Sequence, residues 1–141
     1  MKNVCEKVSV ELNASPSRVW EIISAIEGVD KWFPSIIKSC RFEGNKRYCE
    51  TSEGINLTED IIEVNHETRT FRFAIPKQEM LPVENIKETM KVFDAADGKT
   101  IVEWSGSWNV SEENEAVARE AFLGLWNMGL KEMENYISSS N

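Results

Sequence analysis

Among its 141 residues the chain has one histidine, three cysteines and no CxxC pair. A metal centre needs several closely spaced soft or imidazole ligands, and a disulfide framework needs paired cysteines, so neither organises this protein. No metal and no cofactor are expected. His66, the sole histidine, sits in the turn-like run Asn65-His66-Glu67, which gives Ser-His-Asp or Cys-His catalysis no support. Positive charge is also scarce. Lys+Arg number 16 against 24 Asp+Glu, a net charge of −8 and a pI near 4.8. A nucleic-acid binder normally presents a basic stripe that releases counterions, so no nucleic-acid partner is expected, and anionic membrane surfaces are disfavoured for the same reason. No run approaches the roughly 20 apolar residues of a membrane span, so stable insertion is not expected. Met1 to Lys7 alternates charged with apolar residues and lacks the apolar stretch of a signal peptide, which makes a cytoplasmic location the expectation. Repeats, low-complexity tracts and an interdomain linker are missing as well, so 1–141 reads as one domain, with 138–141 a frayed tail.

What the chain does have is large aromatics, with 5 Trp and 6 Phe. A chain of this length buries roughly 70% of its unfolded surface, which allows one real core, even a hollow one, without metal or disulfide staples. The local patterns give the order of elements. Val4, Glu6, Val8, Val10 and Leu12 share one parity, a half-buried strand with a slip at Glu6. Ser15 stands where an N-cap accepts a backbone N–H and Pro16 suits the first helical position. The stripe Val19, Trp20, Ile22, Ile23 and Ile26 predicts a short helix to about Glu27, ended by Gly28. Six strands follow the Lys31-Trp32-Phe33-Pro34 run, at 36–43, 46–52, 55–64, 69–75, 85–94 and 99–109. The turns between them include Gly44-Asn45 and Ala95-Ala96-Asp97-Gly98. From the N-cap Ser111 the pattern becomes helical to Ile137, about 26 residues and so about 39 Å long.

Residues at specific places join this order. Ala14-Ser15-Pro16-Ser17-Arg18-Val19-Trp20 follows the first strand, then come Trp32-Phe33-Pro34-Ser35-Ile36, Gly54 with Thr58-Glu59-Asp60-Ile61, and a Trp-rich last strand. Over about residues 3 to 137 this resembles the START-like (SRPBCC) superfamily, in its small polyketide cyclase/dehydrase-like branch. The resemblance implies an α+β helix-grip fold, a curved seven-stranded antiparallel sheet wrapped around a long C-terminal helix, with two short helices after strand 1. Plant abscisic acid receptors share that fold, but their hormone-anchoring lysine would fall near Pro34, their gate is missing around Ser52 to Ile55, and their latch would fall at Leu81-Pro82-Val83. Hormone-receptor function is therefore rejected.

In this fold a cavity often lies between sheet and helix, and pockets of this kind take mostly apolar molecules oriented by a few polar groups. Strand parity nominates the wall: Trp104, Gly106 and Trp108 on one strand, Phe71, Phe73 and Ile75 on another, with Phe122, Leu125 and Trp126 of the helix facing them. The same residues would equally serve a filled core, although Gly106 between two tryptophans removes volume from the inner face. Ile86, Glu88, Met90 and Val92 share a parity, which puts the Glu88 carboxyl on the apolar face. Glu59 is placed inward by the resemblance, since alternation alone does not choose between Leu57/Glu59/Ile61 and Thr58/Asp60/Ile62. A carboxyl on an apolar wall is paired, hydrated or protonated, and it either orients a ligand or moves a proton. Glu59 and Glu88 are thus the candidate catalytic residues, and pairing with a nearby Arg or Lys is the plain structural alternative.

A two-residue Gly44-Asn45 loop sets Glu43 opposite Lys46, Arg41 opposite Tyr48 and Cys40 opposite Cys49. Neighbouring thiols are predicted, on the face of Ile36 and Phe42 if no bulge intervenes. They are either a reduced pair of small core residues or a redox-labile pair near the pocket. The loop from Pro76 to Glu84, with Met80, Leu81 and Val83, lies near the expected mouth. Three functions follow. The leading one is binding or transport of a small hydrophobic ligand such as a lipid, isoprenoid or polycyclic aromatic. The second is a cyclase or dehydratase that uses the pocket carboxyls, and the third a cochaperone-like interaction module.

Overall fold

The computed structural model describes residues 1–140. Strand β1 (Lys2–Leu12) leads to two short helices, α1 (Pro16–Ser24) and α2 (Val29–Trp32). Six strands follow: β2 (Ile37–Glu43), β3 (Lys46–Thr51), β4 (Asn56–Asn65), β5 (Thr70–Ile75), β6 (Val83–Asp94) and β7 (Thr100–Val110). The long helix α3 (Glu115–Ser139) closes the chain. One antiparallel sheet of seven strands runs in the order β1-β7-β6-β5-β4-β3-β2, so β1 leaves its own hairpin neighbourhood to pair with the last strand. This is the helix-grip fold.

Local chemistry sets most of the boundaries. Ser15 caps α1 by accepting from the Arg18 backbone N–H, and Pro16 occupies the first turn where no amide is needed. The helix stops at Ser24 rather than near Glu27, because Ile26 takes a left-handed φ of 68° before Gly28 at 84°. Helix α3 begins later than expected: Ser111 starts a 3₁₀ turn, Glu112–Asn114, and the α-helix follows from Glu115. At its other end α3 continues through Ser138 and Ser139, two residues of the expected frayed tail, while Asn141 lies outside the described residues. Strand β6 starts at Val83 instead of 85. A bulge between Glu84 and Lys87, with Asn85 at φ 56°, lets both Val83 and Ile86 point inward although they are three residues apart.

The interior divides at α3. Against β7 it is solid: Trp108 stacks on Phe122 at 3.9 Å between ring centroids, and Trp126 meets Trp108 edge-on. Trp108, Trp126, Phe122, Leu130 and Met133 are essentially inaccessible. Gly106 opens no space here, because a Cβ at that position would lie 2.9 Å from the Trp126 ring, which fills the volume the glycine leaves. Among the described residues no helix is long and apolar enough to cross a membrane.

Candidate ligand cavity

The other part of the interior is hollow, with a cavity of about 100 Å³. Ile22, Ile23 and Ile26 of α1 and its exit, with Val29 and Trp32 of α2 and its C-cap Phe33, form one wall. The sheet supplies Leu57, Phe71, Phe73, Ile75, Met90 and Trp104, and α3 contributes Leu125. Met80, which is 39% exposed, lies at the mouth. Of the residues nominated from the sequence, Phe71, Phe73, Ile75, Glu59, Glu88, Met90, Trp104 and Leu125 border this space. Trp108, Phe122 and Trp126 do not, and their assignment to a pocket wall is corrected. Parity put them on the inner face, but that stretch lies directly under α3, where stacking leaves no void.

Two polar groups interrupt the apolar lining. The first is Glu88, whose Oε1 accepts from Trp104 Nε1 at 2.8 Å and from Trp126 Nε1 at 2.9 Å. Trp126 thus reaches the site through its indole edge while its ring stays in the core. Oε2 has no hydrogen-bond partner among the described residues, and Glu88 borders the cavity, so this oxygen is the one available to a ligand. Burial pushes the carboxyl up to about 7, the nearby Glu59 charge adds to the rise, and the two indole N–H groups and Arg47 oppose it.

The second is the buried pair Arg47–Glu59, with Nε donating to Oε1 at 2.5 Å. The guanidinium lies about 5 Å over the rings of Phe71 and Phe73, at 5.3 and 5.0 Å, and donates from NH1 to the Ile26 carbonyl at 2.9 Å. That carbonyl belongs to the β-branched residue in left-handed backbone, a conformation that costs on the order of 1–3 kcal/mol and persists where its surroundings fix it. Arg47 therefore ties α1 to β3 and β4 across the cavity wall.

Arg47 is the polar cavity residue that the sequence reasoning missed. The signal was available: Arg47, Cys49 and Thr51 alternate with Lys46, Tyr48 and Glu50, so an inward Cys49 carries Arg47 inward as well. For Glu59 the ambiguity of β4 has a physical cause. Leu57, Glu59 and Ile61 face in, Ile62 faces out at 55% exposure, and a bulge between Ile61 and Glu63 brings Val64 back to the inner face, so both parities carry inward residues. Cys40 and Cys49 stand opposite each other, with Cys49 on the cavity wall and Cys40 half-buried. The bulge left open for β2 occurs between Ile37 and Ser39, so Ile37 rather than Ile36 is the fully buried residue at that end. His66 accepts from Trp20 Nε1 at 3.0 Å on its Nδ1 and takes no part in the cavity. The β5–β6 loop is preformed: the Gln78 amide donates to the carbonyls of Leu81 and Val83 at 2.9 and 3.1 Å and accepts from Leu81 N–H at 2.8 Å.

A sheet gripping one long helix, with an apolar space beside it, defines the helix-grip class of domains. The family model described as polyketide cyclase / dehydrase and lipid transport matches residues 5–137, and the chain belongs to that family. No curated protein matches the chain. Solved structures share the fold. An uncharacterized protein from Bacillus thuringiensis is 23% identical with a TM-score of 0.87, covering 95% of this chain and 98% of its own. The protein XoxI from Bacillus cereus is 26% identical with a TM-score of 0.85 and covers 95% of each chain. Truncated norcoclaurine synthase from Thalictrum flavum is 14% identical with a TM-score of 0.77, covering 96% of this chain and 94% of that one.

Proposed function

We propose that the chain binds a small, largely apolar, uncharged molecule that carries one hydrogen-bonding group, with that group at Glu88. The observation behind this reading is the charge balance of the lining. Arg47 is already neutralised by Glu59, and Glu88 is half protonated near neutral pH, so an added carboxylate would find no free cation and one repelling acid. Neutral alcohols, phenols and ketones fit, and fatty-acid anions do not. Size sets a second condition. An apolar void of about 150 Å³ accommodates benzene, so an isoprenoid or fused-ring ligand needs more than the roughly 100 Å³ present and must displace the Met80 side chain at the mouth.

Native mass spectrometry of the purified protein looks directly for a retained molecule. Calorimetric titration with 2-naphthol and with 2-naphthoate then tests the charge rule. The neutral probe should bind at least about tenfold more tightly, a difference of about 1.4 kcal/mol. Leu57→Trp, which fills the half-buried wall, should abolish it. Equal affinity for both probes, or unaltered naphthol binding by Leu57→Trp, would defeat the proposal.

One observation favours a second reading, cyclase- or dehydratase-type turnover. A carboxyl near 7 with one free oxygen on an apolar space both donates and accepts a proton at neutral pH. A retained molecule whose mass changes on incubation with the native chain, but not with a Glu88→Gln variant that still binds it, supports turnover. The same conversion by that variant removes Glu88 from the chemistry.

A further inference from the structure

The facing cysteines take no part in that reading, and their geometry carries one of its own. Gly44, at φ 66°, and Asn45 close the β2–β3 hairpin, flanked by the pair Glu43 and Lys46. In a two-residue loop that flanking pair exchanges both backbone hydrogen bonds, and the pairs then alternate. Phe42 and Arg47 are a non-hydrogen-bonded pair, Arg41 and Tyr48 a hydrogen-bonded one, and Cys40 and Cys49 again a non-hydrogen-bonded one. Such pairs bring Cα atoms to about 4.5 Å, at the near end of the roughly 4.4 to 6.8 Å that a disulfide spans. The β2 bulge lies beyond the thiols, between Ile37 and Ser39, so the register at the pair is undisturbed.

The two sulfurs differ in access and in acidity. Cys49 is buried on the cavity wall, whereas Cys40 sits on edge strand β2 and borders a surface hollow of mixed charge, lined by Arg18 and Lys31 and by Glu21, Glu27 and Asp30. The neighbouring Cys49 thiol brings Cys40 below the ordinary thiol value, with help from Arg47 and the Val29 backbone and against burial and the Glu59 charge. The same contact, together with burial, pushes Cys49 up. The more accessible thiol, on the edge strand, is thus poised as the nucleophile, and the buried one opposite it on the same face holds the proton beside it.

We infer that Cys40 and Cys49 form a thiol–disulfide exchange site for low-molecular-weight disulfides of the glutathione type, entered at Cys40 and resolved by Cys49. The Cys40 thiolate attacks one sulfur of R–S–S–R, forming a Cys40–S–S–R bond and expelling one R–S⁻, which leaves as R–SH. Cys49 gives up its proton to solvent and attacks Cys40 Sγ. The Cys40–Cys49 bond forms, the Cys40–S–R bond breaks, and a second R–S⁻ departs and is protonated. Overall one dithiol and one R–S–S–R become one protein disulfide and two R–SH, so the protein loses the two electrons that the small disulfide gains.

The test uses the full chain carrying Cys5→Ser, which removes the exposed third thiol. The native protein is incubated with oxidised glutathione, quenched with acid, alkylated with N-ethylmaleimide and weighed intact. The reduced protein should carry two maleimides and the treated protein none, with no accumulating glutathione adduct. Cys49→Ser should stall as a single glutathione adduct, with Cys49→Ala as the apolar alternative at this buried position. Cys40→Ser should react more slowly by about tenfold or more. Two thiols that stay free in the native chain while the urea-unfolded chain oxidises would overturn the inference. So would a stable adduct on the Cys5→Ser protein, or equal rates for the Cys40 and Cys49 variants.

Discussion

Replacing Glu88 by Gln should make the protein more stable, and only at the alkaline end. The carboxyl is fully enclosed, and its protonation midpoint rises from 4.5 to about 7 on folding. Between those values the native state holds a proton that the unfolded chain has released, so stability falls as pH rises from about 4.5 through 7. At roughly 1.4 kcal/mol per unit, the loss amounts to about 3 kcal/mol by pH 8, of the order of a quarter to a half of a typical domain's stability. Gln keeps the shape and an oxygen for the indole N–H groups of Trp104 and Trp126 but cannot ionise. Urea denaturation of both proteins at pH 5 and pH 8 isolates this group, because the other titrating residues are common to the pair. The variant should match the native protein within about 1 kcal/mol at pH 5 and exceed it by about 3 kcal/mol at pH 8. A difference that does not change between the two pH values would refute the assignment of a buried, protonated acid.

Removing one member of the enclosed ion pair should cost far more than removing both. Arg47→Met leaves the Glu59 carboxylate without its partner and should lose about 3–5 kcal/mol, while Arg47→Met with Glu59→Leu should recover most of it, as read in a denaturation double-mutant cycle. Glycines offer a second contrast. Gly106→Ala drives a methyl to 2.9 Å from the Trp126 ring and 3.2 Å from the Lys87 carbonyl, and Gly129→Ala places one 2.9 Å from the Phe33 ring and 3.1 Å from the Trp104 ring. Each should destabilise by about 1–3 kcal/mol, whereas Gly124→Ala, with open space around it on the same helix, should stabilise by about 0.5–1 kcal/mol in thermal melts.

Face was legible in the sequence, and depth along that face was not. Alternation in β6 is regular from Ile86 onward, so it tells which way Glu88 points. It also assigns Trp104 and Trp108 to one side without telling that the first borders a void and the second lies under a stacked ring. That distinction depends on where α3 crosses the sheet, which is a tertiary fact. The hairpin register could be read because Gly44-Asn45 admits one short turn, and the cysteine pairing followed by counting. Where a strand carries an extra residue, as at Asn85 and Ile62, counting fails: alternation starts β6 at 85 rather than Val83 and does not choose the inner face of β4. Arg47 was overlooked because a charged residue next to a hairpin is ordinarily solvated, and its burial needs the Glu59 and Ile26 partners that only folding assembles.

The division of the interior between a solid side and a hollow side has a dynamic consequence. Opening the region around Trp108 and Phe122 means dismantling the stack that joins α3 to β7, so amides there should exchange with solvent at the rate of global unfolding. Around Met80, α2 and edge strand β2 the contacts end on empty space, and smaller excursions suffice to expose the backbone. A molecule admitted on that side would therefore be met by the most compliant part of the protein. The wall residues there would also be the ones free to change, through mutation, without loss of the scaffold that holds them.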